Sequence, residues 1–220
     1  MKTFAIMAFL VVGSAAHALI LDDFVDGNTN SSIFAGTGAT YNAATVPGGF
    51  RYTEHTIESN PLGLTHSNIV VNGIFASDSK TLVDATAKIA WGVDNNGNAG
   101  AGTDLNANLS SFGAFKINIL SNDLPATIQL GVRSNSGAFV NSSVYNVTPG
   151  MVMMNQSITI NFSDFGGVNF SDVDAISMVI NTSASGDIVI DSFEAVPEPA
   201  SMIALGLGAA ALVARRKRNS

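Results

Sequence analysis

Cysteine is absent from the 220 residues, and tryptophan occurs once, at Trp91. Without cysteine the chain forms no disulfide, performs no thiol catalysis and builds no thiolate zinc centre, so its stability must come from a self-sufficient core. Positive charge is scarce as well. Of ten Lys and Arg, five lie outside residues 19–196: Lys2 and the run Arg215, Arg216, Lys217 and Arg218. Inside that span only Arg51, Lys80, Lys88, Lys116 and Arg133 face sixteen acidic residues, a net of −11 that the whole-chain value of −7 conceals. A body this acidic cannot neutralise phosphates, which excludes nucleic acid and suits solubility, cations or neutral partners such as sugars. Neither an HExxH metal motif nor a nucleophile elbow occurs, and there is no internal repeat.

What the body lacks in hydrophobic runs, the two ends supply. Lys2 is a positive n-region, residues 4–12 an apolar h-region, and Ala16 and Ala18 stand at the −3 and −1 positions of a signal-peptidase site, which predicts a signal peptide over residues 1–18. At the other end Pro197 and Pro199 hold the chain extended around Glu198. Residues 200–214 are uncharged and rich in Ala, Leu, Met and Gly, which predicts a single transmembrane helix of roughly 22 Å against a hydrocarbon core of about 30 Å. The four cations that stop it place the C-terminus in the cytoplasm.

This order of Pro-Glu-Pro, short apolar helix and terminal basic cluster resembles the PEP-CTERM sorting signal of Gram-negative bacteria. The resemblance implies recognition by an exosortase in the inner membrane and passage to the cell surface or extracellular matrix. Pro197, Glu198 and Pro199 would form the recognition box, and Arg215, Arg216, Lys217 and Arg218 the cytoplasmic stop. The domain organisation expected is therefore 1–18, 19–196 and 197–220.

The body itself reads as β. Residues 127–133 alternate Ile128, Leu130 and Val132 against Thr127, Gln129 and Arg133, and Val83, Ala85, Ala87, Ile89, Trp91 and Val93 make a longer period-two stripe. Further strand candidates are 69–76, 112–120, 139–147, 156–162, 173–181 and 187–193, separated by Gly-, Asn- and Pro-rich turns. No amphipathic helix interrupts them, which predicts an all-β antiparallel sandwich, preferably a jelly roll. The opening Leu21-Asp22-Asp23-Phe24 and the closing Asp187-to-Phe193 stretch are similar to galactose-binding-like jelly rolls and carbohydrate-binding modules, in which the first and last strands meet. That resemblance implies a structural calcium near the joined termini, for which Asp22, Asp23, Asp26 and Asp191 are the candidate ligands; solvated or turn-capping carboxylates are the other reading.

The remaining chemistry is sparse. Trp91, Tyr52 and Arg51 are candidate ligand-binding residues, with Tyr41 and Phe50 as further platforms; core packing and carboxylate pairing are the competing roles. Asp94, Asn96 and Asn98 imitate the start of an EF-hand loop, but Ala99 stands where glycine is needed and Leu105 where glutamate is needed, so an Asn-Gly turn is expected. Glu54 and Glu58, with His55 and His66 nearby, are the only arrangement suggestive of a glycosidase. The expectation is an exported, exosortase-sorted surface or matrix protein, non-catalytic and associated with exopolysaccharide. A carbohydrate-active enzyme and a purely structural matrix protein are the alternatives.

Overall fold

The computed structural model describes residues 17–100, 103–150 and 156–198. The signal-peptide run, Ala16, Pro199, the apolar run 200–214 and the basic cluster 215–218 lie outside the described residues, among which no helix is long and apolar enough to cross a membrane. Among the described residues fourteen strands follow one another: β1 Leu19–Asp22, β2 Thr29–Ile33, β3 Thr37–Ala43, β4 Phe50–Ser59, β5 His66–Val71, β6 Ile74–Ser79, β7 Asp84–Trp91, β8 Ala114–Asn122, β9 Ala126–Ser134, β10 Val140–Asn141, β11 Tyr145–Val147, β12 Gln156–Asn161, β13 Val173–Thr182 and β14 Asp187–Val196. One 3-10 turn, Phe162–Asp164, is the only helical element among the described residues.

Alternation sorts these strands into two antiparallel sheets that bury their shared faces. The first sheet has the order β12-β8-β14-β6-β5-β2, with β1 added beside β14; the second has the order β10-β9-β13-β7-β4-β3, with β11 on β9. The chain crosses between sheets at nearly every step from β6 onward, giving a jelly-roll sandwich. First and last strands meet, with Leu19 opposite Ala195 and Ile20 opposite Glu194.

Half of the interior is conventional. Ile89 and Trp91 on β7, Phe115, Ile117 and Ile119 on β8, Ile128, Leu130 and Val132 on β9, and Ile188, Ile190 and Phe193 on β14 are almost wholly buried. Each contributes about 1.5–3 kcal/mol by leaving water. Phe115 is the hub, within 4.7–6.2 Å centroid distance of Phe162, Phe165, Phe170 and Phe193. The β7 stripe ends at Trp91, two residues earlier than alternation predicts. Gly92 turns the chain at φ +72, where a side chain would strike the Asp174 carbonyl at 2.2 Å, and Val93 joins a cluster with Tyr52, Ala90 and Ala175 instead.

The other half of the interior is polar. Thr29 donates to Thr40 (3.2 Å), Thr40 pairs with Thr53 (2.7 Å), Ser31 with His55 (2.9 Å) and Ser79 with His66 (2.9 Å). The two imidazoles lie 5.1 Å apart between the sheets. Gly38 stands opposite His55 in the same sheet, where a side chain would meet His55 Nε2 at 2.7 Å and the Ile33 side chain of the other sheet at 2.8 Å. Burial, then the neighbouring His66, lowers the His55 pKa to about 4, and burial lowers that of His66, partly offset by Asn68 and Asp78. Both rings therefore favour the neutral form in the folded state.

That preference has a sign. A histidine whose folded pKa is depressed contributes stability that is present above its unfolded pKa of 6.5 and is lost as pH falls toward about 4. The melting temperature should drop between pH 7 and pH 4.5, and His55→Gln, which keeps an acceptor near Ser31, should flatten that drop when both proteins are followed by circular dichroism.

Candidate functional site

The three residues singled out for ligand binding share one structural fate. Trp91, Arg51 and Tyr52 are only 1–2 % exposed. Arg51 lies between the sheets and makes a bidentate pair with Asp22, Nε to Oδ2 at 2.6 Å and Nη2 to Oδ1 at 2.5 Å. Its Nη1 donates to the Asp26 carbonyl at 2.9 Å, and its guanidinium stacks over Phe24 at 5.0 Å. Trp91 Nε1 donates to Asp22 Oδ2 at 2.8 Å, and the Phe24 N–H to Oδ1 at 2.9 Å. The arrangement corrects the expectation for Trp91 and Arg51: both are structural, and neither offers a face to a ligand.

The same network engages aspartates named as calcium candidates. Asp22 has both oxygens committed to Arg51, Trp91 and backbone. Asp23 caps the Val25 N–H, and Asp26 accepts the Thr45 hydroxyl and N–H, which hold its carboxyl below the usual range. Asp191 lines a groove on the outer face of the first sheet, beside Lys116 and Asn118. Among the described residues no three His, Asp or Glu side chains come together as a metal site, so these aspartates do not fit calcium. Asp94 behaves as a turn residue, its Oδ1 accepting the Asn96 and Asn98 N–H groups, which lower its pKa. The glycosidase arrangement also comes apart. Glu54 accepts from the Tyr52 hydroxyl at 2.5 Å, whereas His55 and His66 are sealed in the interior.

An open site lies elsewhere, on the outer face of the second sheet. The outward positions of β7, β9 and β13 include the small residues Ala90, Gly131, Ala175 and Ser177; a side chain at Gly131 would meet Ser177 Oγ at 2.7 Å and Asn141 Oδ1 at 2.8 Å. On this face the Asp94–Asn98 turn on one side and the turn after β9 on the other bound a groove of about 420 Å³, lined by Lys88, Asn98, Ala99, Arg133, Ala138 and Phe139. Phe139 is 36 % exposed. Arg133 Nε is fastened to the Gly137 carbonyl at 2.7 Å, while its Nη1 is covered and has no acceptor among the described residues. Tyr52 supports the groove from below: Lys88 Nζ lies 5.6 Å from its ring centre, and Gly97 packs against its edge. Burial, then Glu54, pushes the Tyr52 phenol well above its ordinary pKa. Beyond Ala99, Tyr41 and Phe50 stack at 4.8 Å and 4° along the sheet edge, with Phe50 43 % exposed.

Alternation sets Arg133 on the solvent face of its strand, but nothing in the sequence shows that β7 and β9 flank one depression. A groove of about 480 Å³ on the first sheet, beside Asp191, is larger but has no aromatic lining.

The tail begins where the sandwich ends: β14 closes at Val196, and Pro197 and Glu198 follow with no intervening linker. Residues 195–218 match the PEP-CTERM protein-sorting motif. The PEP-CTERM motif thus overlaps the last two residues of β14, Ala195 and Val196. No curated protein matches the chain. Solved structures similar to it include the family 11 carbohydrate-binding module of a cellulosomal cellulase of Clostridium thermocellum, at 18 % identity over 84 % of this chain and 97 % of that one, with a TM-score of 0.45. An exo-beta-agarase is similar at 13 % identity over 82 % of this chain and 25 % of that one, TM-score 0.44. A family 29 carbohydrate-binding module mutant complexed with mannohexaose shares 11 % identity over 76 % and 91 %, TM-score 0.35.

Two outcomes follow from the buried network. Asp22→Ala strands the Arg51 guanidinium in the interior and should cost about 3–5 kcal/mol in urea unfolding. Millimolar calcium should leave the melting temperature of the sandwich unchanged in differential scanning fluorimetry.

Proposed function

We propose that this chain is an exported surface protein whose sandwich binds extracellular polysaccharide, without catalysis, along the groove of the second sheet. The observation that carries the reading is the groove itself. It sets an exposed aromatic ring, Phe139, beside the donors of Lys88, Arg133 and Asn98, and the stacked Tyr41 and Phe50 extend the aromatic surface along the edge. Sugars present apolar C–H faces that stack on aromatic rings and hydroxyls that need fixed polar partners, so this is the chemistry they require. The acidic body favours neutral polysaccharide over anionic chains.

The non-catalytic part of the reading is supported by the lining. Glycoside hydrolysis generally needs two carboxyl groups flanking the scissile bond, and no Asp or Glu lines this groove. The sorting motif supplies the address: processing by an exosortase, after signal-peptidase removal of residues 1–18, followed by display at the cell surface or release into the matrix.

Glycan arrays followed by calorimetry test the binding. Phe139→Ala and Arg133→Ala should each weaken a neutral polysaccharide about tenfold, the scale of one stacking or hydrogen-bonding contact, with unchanged melting temperature. Trp91→Phe should lower the melting temperature and leave affinity alone. Turnover of a glycoside substrate would overturn the non-catalytic reading. Replacing Pro197, Glu198 and Pro199 together by alanine should leave the tail unprocessed, as seen by the mass of the exported chain.

A further inference from the structure

The end of β14 is enclosed on both sides. Val196 stands opposite Ala114 on β8, and Ala195 stands opposite Leu19 on β1. Immediately beyond β8's first residue, Gly113 donates its N–H to the Val196 carbonyl at 2.9 Å, and its own carbonyl accepts the Phe162 N–H at 2.8 Å. Gly113 is buried, and Glu198 of the sorting box, whose outer side is exposed, lies on it. A Cβ at this position would fall 1.9 Å from Glu198 Cγ, 2.9 Å from Glu198 Cβ and 3.0 Å from its Cα. Gly113 does not need left-handed backbone; it is the close approach of Glu198, backbone and side chain together, that leaves no room for a larger residue there.

We infer that Gly113 is a seat for the chain's own sorting box, and that the folded sandwich competes with the processing enzyme for Pro197 and Glu198. This rests on the sorting reading of the tail and adds an order of events to it. An enzyme that cuts or transfers a chain takes several residues in extended form on either side of the bond. Here the residues before the box are rungs of a sheet, because the motif already begins inside β14. Folded chains are processed through local opening, so the rate on a folded molecule follows how often the last rungs of β14 and the Glu198 contact release together. β14 is also the last strand to emerge and fills the middle of its sheet, between β8 on one side and β6 and β1 on the other. Until it docks, the box is free. Processing is therefore fastest on the chain whose first sheet has not closed, and the closed sandwich holds its box back.

The test is pulse-chase of tail processing in the full chain co-expressed with an exosortase. Two variants release the seat: Gly113→Ala, whose methyl group displaces Glu198, and a six-residue Gly-Ser insertion between Val196 and Pro197. Each should speed processing by roughly three- to tenfold, in line with an easier opening. An unchanged melting temperature for the insertion separates release of the box from loss of the fold, and that variant decides the matter if Gly113→Ala does not fold. Unaltered rates in the insertion variant, with processing still abolished by alanines at 197–199, overturn the seat and leave the sorting reading standing. Processing that ignores those alanines overturns the sorting reading and the seat with it.

Discussion

The pair of Arg51 with Asp22 is the contact on which the rest of the sandwich depends. Asp22 belongs to the first sheet and Arg51 and Trp91 to the second, so one carboxylate bonds across the interior to two strands of the opposite layer. Removing these charges from water is costly unless they are paired and hydrogen-bonded, and here both Asp22 oxygens accept two bonds each and four of the five guanidinium protons find acceptors. That demand allows one arrangement of β1 relative to β4 and β7. It also pins the short segment after β1, whose carbonyls at Asp26 and Gly27 accept from Arg51 Nη1 and whose Phe24 lies beneath the guanidinium.

Around this clasp the interior divides by chemistry. Toward β8, β9, β13 and β14 the sheets are held by close-packed aliphatic and aromatic side chains, which need only shape. Toward β2, β3, β5 and β6 they are held by a relay of hydroxyls, amides and two neutral imidazoles, which need direction as well. A hydrogen-bonded interior can be as stable as an apolar one while every group keeps its partner, but it responds to pH, and an apolar one does not. The unequal halves give the domain one insensitive side and one titratable side.

The proposed binding groove and the sorting motif occupy different parts of the same body. The groove lies on the outer face of the second sheet, between the Asp94–Asn98 turn and the turn after β9. The sorting box sits at one end of the first sheet, beside Leu19, so the two ends of the described domain lie together. A sandwich organised in this way can present its groove laterally while its termini point to whatever processes them.

The all-β class, the antiparallel sandwich and the sorting box were legible in the sequence because each rests on local pattern: alternation with period two, turns rich in Gly and Asn, and a short ordered signal. Residues 69–76 read as one strand and form a hairpin, since Asn72 and Gly73 adopt the positive φ of a two-residue turn. β2, β3 and the first part of β4 went unread for a different reason: their inward positions are Ser31, Thr40, Thr53 and His55, so hydrophobic alternation is absent where the core is polar. The roles of Arg51, Trp91 and Asp22 could be named by residue type but not assigned, because the choice between ligand site and buried clasp depends on which side chains meet across 69 residues of sequence between Asp22 and Trp91. The groove and the seat at Gly113 belong wholly to the tertiary structure. A depression exists only once three strands are set side by side, and a glycine becomes a contact only when another segment lies on it.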